Sequence, residues 1–109
     1  MKVFVDANPT NYAVVDENGD LALSGKFEKP VTNNEAEYYA VIRGLEVDGV
    51  TEILSDSQLV VNQLNMNYHI REDRLRELAK IVWKRAKAKG KIKFTWIPRK
   101  ENKAGKVLG

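Results

Sequence analysis

Three acidic residues lie far apart in this chain, yet each stands where a secondary-structure element could aim its carboxylate at a shared point. Asp6 ends the apolar run at residues 3–5, and Asp56 follows the apolar run at residues 53–54. Glu37 lies at the start of a helical pattern. Two strand ends and one helix start can bring three acids together around divalent metal, and this grouping predicts metal-dependent cleavage of a phosphodiester.

Each of these acids also has a more ordinary explanation. Asp56, together with Ser57, could cap a helix, because Asp and Ser are favoured N-cap residues. Glu37 could offset the dipole of the helix that it starts. Asp6 is harder to explain in this way, since an acid at the end of a buried strand is costly unless it is paired or metal-bound. Asp6 is therefore the residue that most favours a metal site.

The elements that must position these acids follow from hydrophobic periodicity and from turn residues. We predict five strands, at residues 2–6, 12–15, 21–27, 51–55 and 91–97. We predict helices from residues 32–34 to about 46, at 58–64, at 74–88 with Asp73 as the cap, and a weak helix within 101–108. The first three strands form an antiparallel meander, and the whole order indicates an α/β fold in which helices pack on a mixed sheet.

The composition narrows the class of protein. The chain has 109 residues and no Cys, which predicts a single domain over residues 1–109 without disulfides or thiolate metal sites. No apolar run approaches the roughly 20 residues of a membrane span, and the N-terminus reaches Asp6 too early for a signal peptide. We therefore expect a soluble, cytoplasmic monomer with no membrane partner.

The charges are distributed unevenly along the chain. Residues 1–70 carry a net charge of −7 and residues 71–109 a net charge of +10, which together give the overall +3. A basic surface beside an acidic cleft suits a polyanion that is held near metal-binding carboxylates. A solvated helix face in a Lys-rich protein explains the same charges equally well. Both explanations stay open for the basic cluster, which comprises Lys84, Arg85, Lys87 and Lys89.

Three runs of residues, in the same order and at matching spacing, resemble the type 1 ribonucleases H. Residues 32–38 (TNNEAEY) are similar to that family's T-N-N-x-x-E helix start, and residues 53–60 (ILSDSQLV) to its strand ending in D-S-Q. Residues 96–102 (WIPRKEN) are similar to the W-[IV]-P-R-x-x-N run of the subgroup without a basic protrusion. The resemblance implies a ribonuclease H-like sheet of three antiparallel and then two parallel strands, flanked by helices on both faces.

The resemblance also implies a function. The family's enzymes hydrolyse the RNA strand of RNA–DNA hybrids as endonucleases and leave 5′-phosphate and 3′-hydroxyl ends. Asp6, Glu37 and Asp56 match its catalytic metal ligands, and two Mg²⁺ or Mn²⁺ ions are expected with substrate. Mg²⁺ prefers hard oxygen ligands and keeps some of its waters, which suits a carboxylate site.

Further residues match the family's substrate contacts. Amide side chains can both donate to and accept from a 2′-hydroxyl, the group that distinguishes RNA from DNA. The resemblance gives RNA-strand contacts to Asn33, Asn34 and Gln58 and a phosphate contact to Thr32. We add Asn8 and Arg99 as candidate contacts, although the turn after Asp6 is shorter than in the family.

The chain departs from the family where a fourth acid is expected. The family's pattern usually ends N-x-x-A-D-x-L-A, with the Asp as a further metal ligand. Aligning Asn102 and Leu108 places Lys106 at that position, and a shift of one residue places Gly105 there instead. Three interpretations stay open: weakened, Mn²⁺-favouring activity with three acids, partial replacement of a second metal's charge by Lys106, or loss of catalysis.

Two other functions therefore remain as alternatives. The first is a non-catalytic module on the same fold that binds RNA–DNA hybrids or double-stranded RNA. The second is a nuclease that acts on structured DNA or RNA. Among the remaining distinctive residues, we predict that His69 lies on the surface and that Trp83 and Trp96 belong to the core.

Overall fold

The computed structural model describes residues 1–108 of the chain. It contains five strands, namely β1 (Lys2–Ala7), β2 (Asn11–Asp16), β3 (Leu21–Lys26), β4 (Glu52–Ser55) and β5 (Lys93–Trp96). The helices are α1 (Asn33–Gly44), α2 (Gln58–Leu64), α3 (Asp73–Lys89) and α4 (Lys103–Leu108), and a 3₁₀ turn at Arg99–Glu101 precedes α4. This element order is the one that the periodicity predicts.

The five strands form one mixed sheet in the order β3-β2-β1-β4-β5. β1 pairs antiparallel with β2, and β2 pairs antiparallel with β3. β4 lies parallel to β1 on one side and to β5 on the other. The prediction of three antiparallel strands followed by two parallel strands is confirmed.

Alternating residues of β1 separate the two faces of the sheet, because successive side chains of a strand point to opposite faces. Val3 and Val5 are buried in the main core, which also contains buried residues of α1, α2 and α3. Phe4 faces the other way and packs beside Ala104 of α4 in a smaller cluster. Helices therefore cover both faces of the sheet, as predicted.

Helix α1 lies unusually close to the sheet at its C-terminal end. A Cβ atom added at Gly44 would lie 2.8 Å from Val5 Cγ1 and 3.0 Å from Ile53 Cδ1, which is closer than folded proteins accept without a shift. Gly44 is two helical turns after Glu37, so both residues lie on the same face of α1. The close packing at Gly44 therefore directs Glu37 toward the ends of β1 and β4.

Helix α3 begins differently from the prediction. Asp73 is its first residue rather than its cap, and Glu72 occupies the cap position without a capping hydrogen bond from its side chain. Asp73 instead forms an ion pair with Arg76 one turn later, at 2.9 Å. Both members of this (i, i+3) pair are exposed. Within residues 1–108, no helix is both long and apolar enough to cross a membrane.

Candidate active site

Two of the three acids meet because β1 and β4 are parallel neighbours. The register pairs Phe4 with Leu54, and two further residues along each strand lead to Asp6 and Asp56. The carboxyl ends of parallel strands lie at the same edge of a sheet, which is where such folds place their sites. Asp6 is only 2% exposed, so its carboxylate is held in a largely dry environment.

Glu37 reaches the same place from helix α1. Thr32 caps this helix by accepting from the backbone N–H of Glu35, and the Glu35 carboxylate accepts in turn from the N–H of Thr32. This capping box assigns the ordinary first-turn role to Glu35. Glu37 lies beyond the first turn of α1, where the helix dipole has little effect, so the dipole explanation does not apply to it. One carboxylate oxygen of each of Asp6, Glu37 and Asp56 lies within 4.8 Å of the others.

Asp56 is likewise not the cap of helix α2, so the ordinary explanation for this acid does not apply either. Ser57 is the N-cap of α2, and its hydroxyl accepts from the backbone N–H of Val60 at 3.2 Å. The amide of Ser57 in turn donates to the hydroxyl of buried Ser55 at 3.1 Å. The turn after β4 is therefore held by serines, and the carboxylate of Asp56 can face the other two acids.

Asn102 holds Asp56 in place, a role that sequence reasoning did not assign. Its side-chain N–H₂ donates to Asp56 Oδ2 and to the carbonyl oxygen of Val5, both at 2.9 Å. Its carbonyl oxygen accepts from the backbone N–H of Ala104 at 3.1 Å. Asn102 is 1% exposed, so a buried amide joins β1, the end of β4 and the start of α4. The asparagine that ends the run WIPRKEN at residues 96–102 was the feature of the sequence that could have indicated this role.

The electrostatics of the three acids favour a bound cation. Among residues 1–108, Asp6 Oδ1 and Glu37 Oε1 are buried without a hydrogen-bond partner. Burial, and next the negative charge of Asp6, raise the pKa of Glu37 to about 8. Burial and the charge of Asp56 also raise the pKa of Asp6. Buried carboxylates without partners are costly, and hard oxygen donors of this kind fit Mg²⁺ or Mn²⁺.

The positive charge nearest to this group belongs to Arg99. Its Nη1 lies 3.9 Å from Asp56 Oδ1, while the Arg99 side chain is 79% exposed. Lys106 is exposed, and within residues 1–108 it forms no ion pair with any of the three acids. Arg99 is thus the basic side chain placed to meet an anion that approaches the acids.

The acid group comprises Asp6, Glu37 and Asp56, and the other predicted substrate residues are not part of it. Thr32, Asn33 and Gln58 are exposed, and Asn34 is half-buried. Asn34 also lines a cavity of about 520 Å³ together with His69 and residues of the α2–α3 loop. The carbonyl oxygen of the Asn8 side chain accepts from the backbone N–H groups of Thr10 and Asn11, so this residue holds the β1–β2 turn. Roles in substrate binding remain predictions for all of them.

The two tryptophans differ from one another. Trp83 is half-buried against the main core and donates to the carbonyl oxygen of Leu64. Trp96 was predicted to lie in the core, and that prediction is wrong: it is 42% exposed. Its indole N–H donates to the carbonyl oxygen of Asp56 at 3.1 Å. Because β5 is an edge strand, its last residue lies at the rim of the acid group. His69 is exposed, as predicted.

Comparison with known proteins agrees with this architecture. A family model described as reverse transcriptase-like matches residues 10–108. The N-terminal RNase H domain of Rv2228c from Mycobacterium tuberculosis has a TM-score of 0.80 and 24% identity, covering 98% of this chain and 93% of that one. LC11-RNase H1, solved in complex with an RNA/DNA hybrid, has a TM-score of 0.75 and 26% identity over 99% of both chains.

A curated relative extends well beyond the matched region. The bifunctional protein Rv2228c of Mycobacterium tuberculosis is 32% identical over an alignment of 119 positions, which covers 94% of this chain but 33% of that protein. The chain therefore spans about a third of the length of the curated relatives that it matches.

Proposed function

We infer the function of this chain from its membership of the reverse transcriptase-like family and from its ribonuclease H-like domain. We propose that it hydrolyses the RNA strand of RNA–DNA hybrids as a metal-dependent endonuclease, which leaves 5′-phosphate and 3′-hydroxyl ends. The RNA/DNA hybrid bound to LC11-RNase H1 supports this choice of substrate. The proposed activity is assigned to the ribonuclease H-like domain alone.

One observation carries the proposal most directly. Three carboxylates from β1, α1 and the end of β4 converge to within 4.8 Å, and two of their buried oxygens have no partner within residues 1–108. An arrangement that only stabilised the fold would pair these oxygens, because unpaired buried acids cost free energy. Asp6, Glu37 and Asp56 would therefore hold divalent metal, Mg²⁺ or Mn²⁺.

The roles of the protein's own residues follow from their positions. Two bound metal ions would supply an activated water and charge stabilisation at the phosphate. Asp6, Glu37 and Asp56 would hold and orient these ions. Asn102 would fix the orientation of Asp56, as groups behind a metal ligand commonly do. Arg99 would attract the phosphate of the scissile bond or of the product.

Substrate selection would depend on the groups that surround the acids. Asn33, Asn34 and Gln58 offer amides to the 2′-hydroxyls of the RNA strand, and Thr32 offers its hydroxyl to a phosphate. Contacts of this kind read the shape of a duplex and its hydroxyl groups rather than its base sequence. We therefore expect cleavage of hybrids with little sequence preference, and no cleavage of duplex DNA.

The decisive test is cleavage of a labelled RNA–DNA hybrid in Mg²⁺ and in Mn²⁺, with duplex DNA and single-stranded RNA as competitors. Asp6→Asn and Asp56→Asn are expected to lower the rate by at least about 100-fold, because each removes a charged metal ligand. Glu28→Gln, an exposed acid on the same half of the chain, serves as the matched control. Cleavage that survives in both Asn variants would refute the proposed site.

A second candidate function is supported by the missing fourth acid. Helix α4 places glycine rather than a carboxylate beside Asp6, and a site with fewer ligands could retain binding without catalysis. Hybrid binding with no cleavage in either metal would identify the chain as a binding module. Preference for structured DNA or RNA in the competition assay would instead identify a nuclease with another substrate.

A further inference from the structure

The rotation of helix α4 about its axis decides which of its residues faces the acid group. Ala104 is fully buried in the small cluster that contains Phe4, Ala13 and Val15. The backbone N–H of Ala104 is also held by the side chain of Asn102. With Ala104 fixed against the sheet at both points, the directions of the neighbouring side chains are fixed as well.

Residue 105 is the one that α4 turns toward the site. A Cβ atom added at Gly105 would lie 3.1 Å from Asp6 Oδ2 and 3.9 Å from Asp6 Cγ. Gly105 is half-buried, whereas Lys106 is exposed. A side chain at residue 105 would therefore start in contact with the carboxylate of Asp6, whereas one at residue 106 starts about 100° further around the helix.

We propose that residue 105, and not residue 106, is the position from which α4 can supply a fourth carboxylate, and that glycine there limits the chain to one tightly bound divalent ion in the absence of substrate. This proposal rests on the metal site of the proposed function. Three acids that converge to within 4.8 Å can share one ion. A second ion about 3.5–4 Å away needs further oxygens, and α4 presents glycine, which has no side chain to supply one, beside Asp6.

The backbone at residue 105 can accept a side chain. Gly105 is not among the glycines with positive φ, which are Gly19, Gly49 and Gly90. An L-residue in a helix interior is also favoured over glycine. The remaining obstacle is the 3.1 Å contact with Asp6 Oδ2, which requires a shift of a few tenths of an ångström at the end of a side chain.

The test compares two matched pairs, Gly105→Asp with Gly105→Asn and Lys106→Asp with Lys106→Asn, by calorimetric titration with Mn²⁺. Asn reproduces the shape of Asp without its charge, so each pair isolates the carboxylate. Wild-type protein is expected to bind one ion. Gly105→Asp is expected to bind Mn²⁺ at least about tenfold more tightly than Gly105→Asn, or to bind a second ion. The Lys106 pair is expected to differ by less than about threefold, as exposed charges do.

A measurement without metal tests the same placement independently. In EDTA at pH 8, the new carboxylate of Gly105→Asp would face the charge of Asp6 and lower the melting temperature relative to Gly105→Asn. Gly105→Asp is expected to melt about 4–8 °C below Gly105→Asn, and saturating Mn²⁺ should reverse the sign of this difference. The two Lys106 variants should melt together.

The outcomes separate this inference from the proposed function. Tighter binding in Lys106→Asp than in Gly105→Asp, or equal melting of the two Gly105 variants in EDTA, would overturn the assignment of residue 105. Two tightly bound ions in the wild-type protein would overturn the limit of one ion. Absence of any Mn²⁺ binding by the wild-type protein would instead refute the proposed metal site, while the EDTA comparison would still decide the placement.

Discussion

At the scale of single residues, Asn102 donates a side-chain hydrogen bond to the carboxylate of Asp56. Its amide is shared between Asp56 and the backbone of Val5. With its carbonyl oxygen it also accepts from the backbone N–H of Ala104, so this buried side chain connects three elements. A role in orienting a ligand, rather than in contacting substrate, follows from this position.

Replacing Asn102 with Ala is expected to weaken divalent metal binding by roughly 10- to 100-fold, because Asp56 loses the donor that orients it. Mn²⁺ titration below the melting temperature measures this effect. Asn65→Ala is the control, since the Asn65 amide also donates to a backbone carbonyl, that of Phe94, and forms no hydrogen bond with any of the three acids. Equal metal affinity in the two variants would contradict the positioning role.

The pKa of Glu37 predicts how stability depends on pH when metal is absent. Its pKa is about 8 in the folded protein, against an ordinary value of 4.5. Between these values the unfolded chain releases this proton while the folded chain keeps it, so the free energy of unfolding falls as pH rises from 4.5 to 8. Mg²⁺ should offset this loss, because it binds the ionised carboxylates.

Glu37→Gln removes this titration and should therefore stabilise the metal-free protein at pH 8 by on the order of 2 kcal/mol, with a smaller gain at pH 5. Urea unfolding in EDTA at pH 5, 6, 7 and 8 measures the difference. Glu28→Gln, at an exposed position, is the control. Parallel pH profiles for wild-type protein and Glu37→Gln would show that Glu37 is not destabilised by its surroundings.

At the scale of elements, the order of strands and helices was predictable because the apolar residues of each element recur with the period of a strand or of a helix. The grouping of Asp6 with Asp56 was also foreseeable, since both follow apolar runs that become parallel neighbours. The exposure of Trp96 and the direction in which residue 105 faces could not be predicted from the sequence. The first depends on the position of β5 as an edge strand, and the second on the rotation of α4 about its axis where it packs on β1. Both are properties of tertiary packing.

Helix α1 provides a test at this scale. Gly44→Ala improves the helix propensity by about 1 kcal/mol, but its methyl group would press on Val5 and Ile53. Crowding of this kind typically costs about 1–3 kcal/mol, so we expect net destabilisation and weaker Mn²⁺ binding as Glu37 is displaced. Urea unfolding and Mn²⁺ titration measure the two effects. Unchanged or increased stability would show that α1 can withdraw from the sheet without cost.

At the scale of the whole molecule, the separation of charge along the chain predicts how it meets a polyanion. The acids converge at the carboxyl ends of β1 and β4, while α3 carries exposed Lys80, Lys84 and Arg85. Helix α3 can contribute to hybrid binding only if one duplex contacts both the acid group and the exposed basic residues of this helix. Otherwise these side chains are solvated surface, as many Lys-rich helix faces are.

The salt dependence of hybrid binding distinguishes these possibilities. If α3 contacts the duplex, Lys84→Gln with Arg85→Gln should reduce the slope of log affinity against log salt by about 0.9 for each phosphate that the double variant no longer neutralises. The exposed pair Lys26→Gln with Lys29→Gln, on the acidic half of the chain, controls for net charge. Equal slopes in the two double variants would assign the α3 cluster to solvated surface.

The hydrogen bond from Asn102 to Val5 joins residues that are 97 positions apart, and this has a consequence for synthesis on the ribosome. All three acids have been translated once residue 56 is added, but the amide that fixes Asp56 follows 46 residues later. At typical rates of elongation this interval lasts roughly 2–9 seconds. During that time a nascent chain carries the acids without the group that arranges them. Under the proposed function, the nascent chain would bind divalent metal more weakly during this interval than the completed domain does, because Asp56 still lacks the donor that orients it.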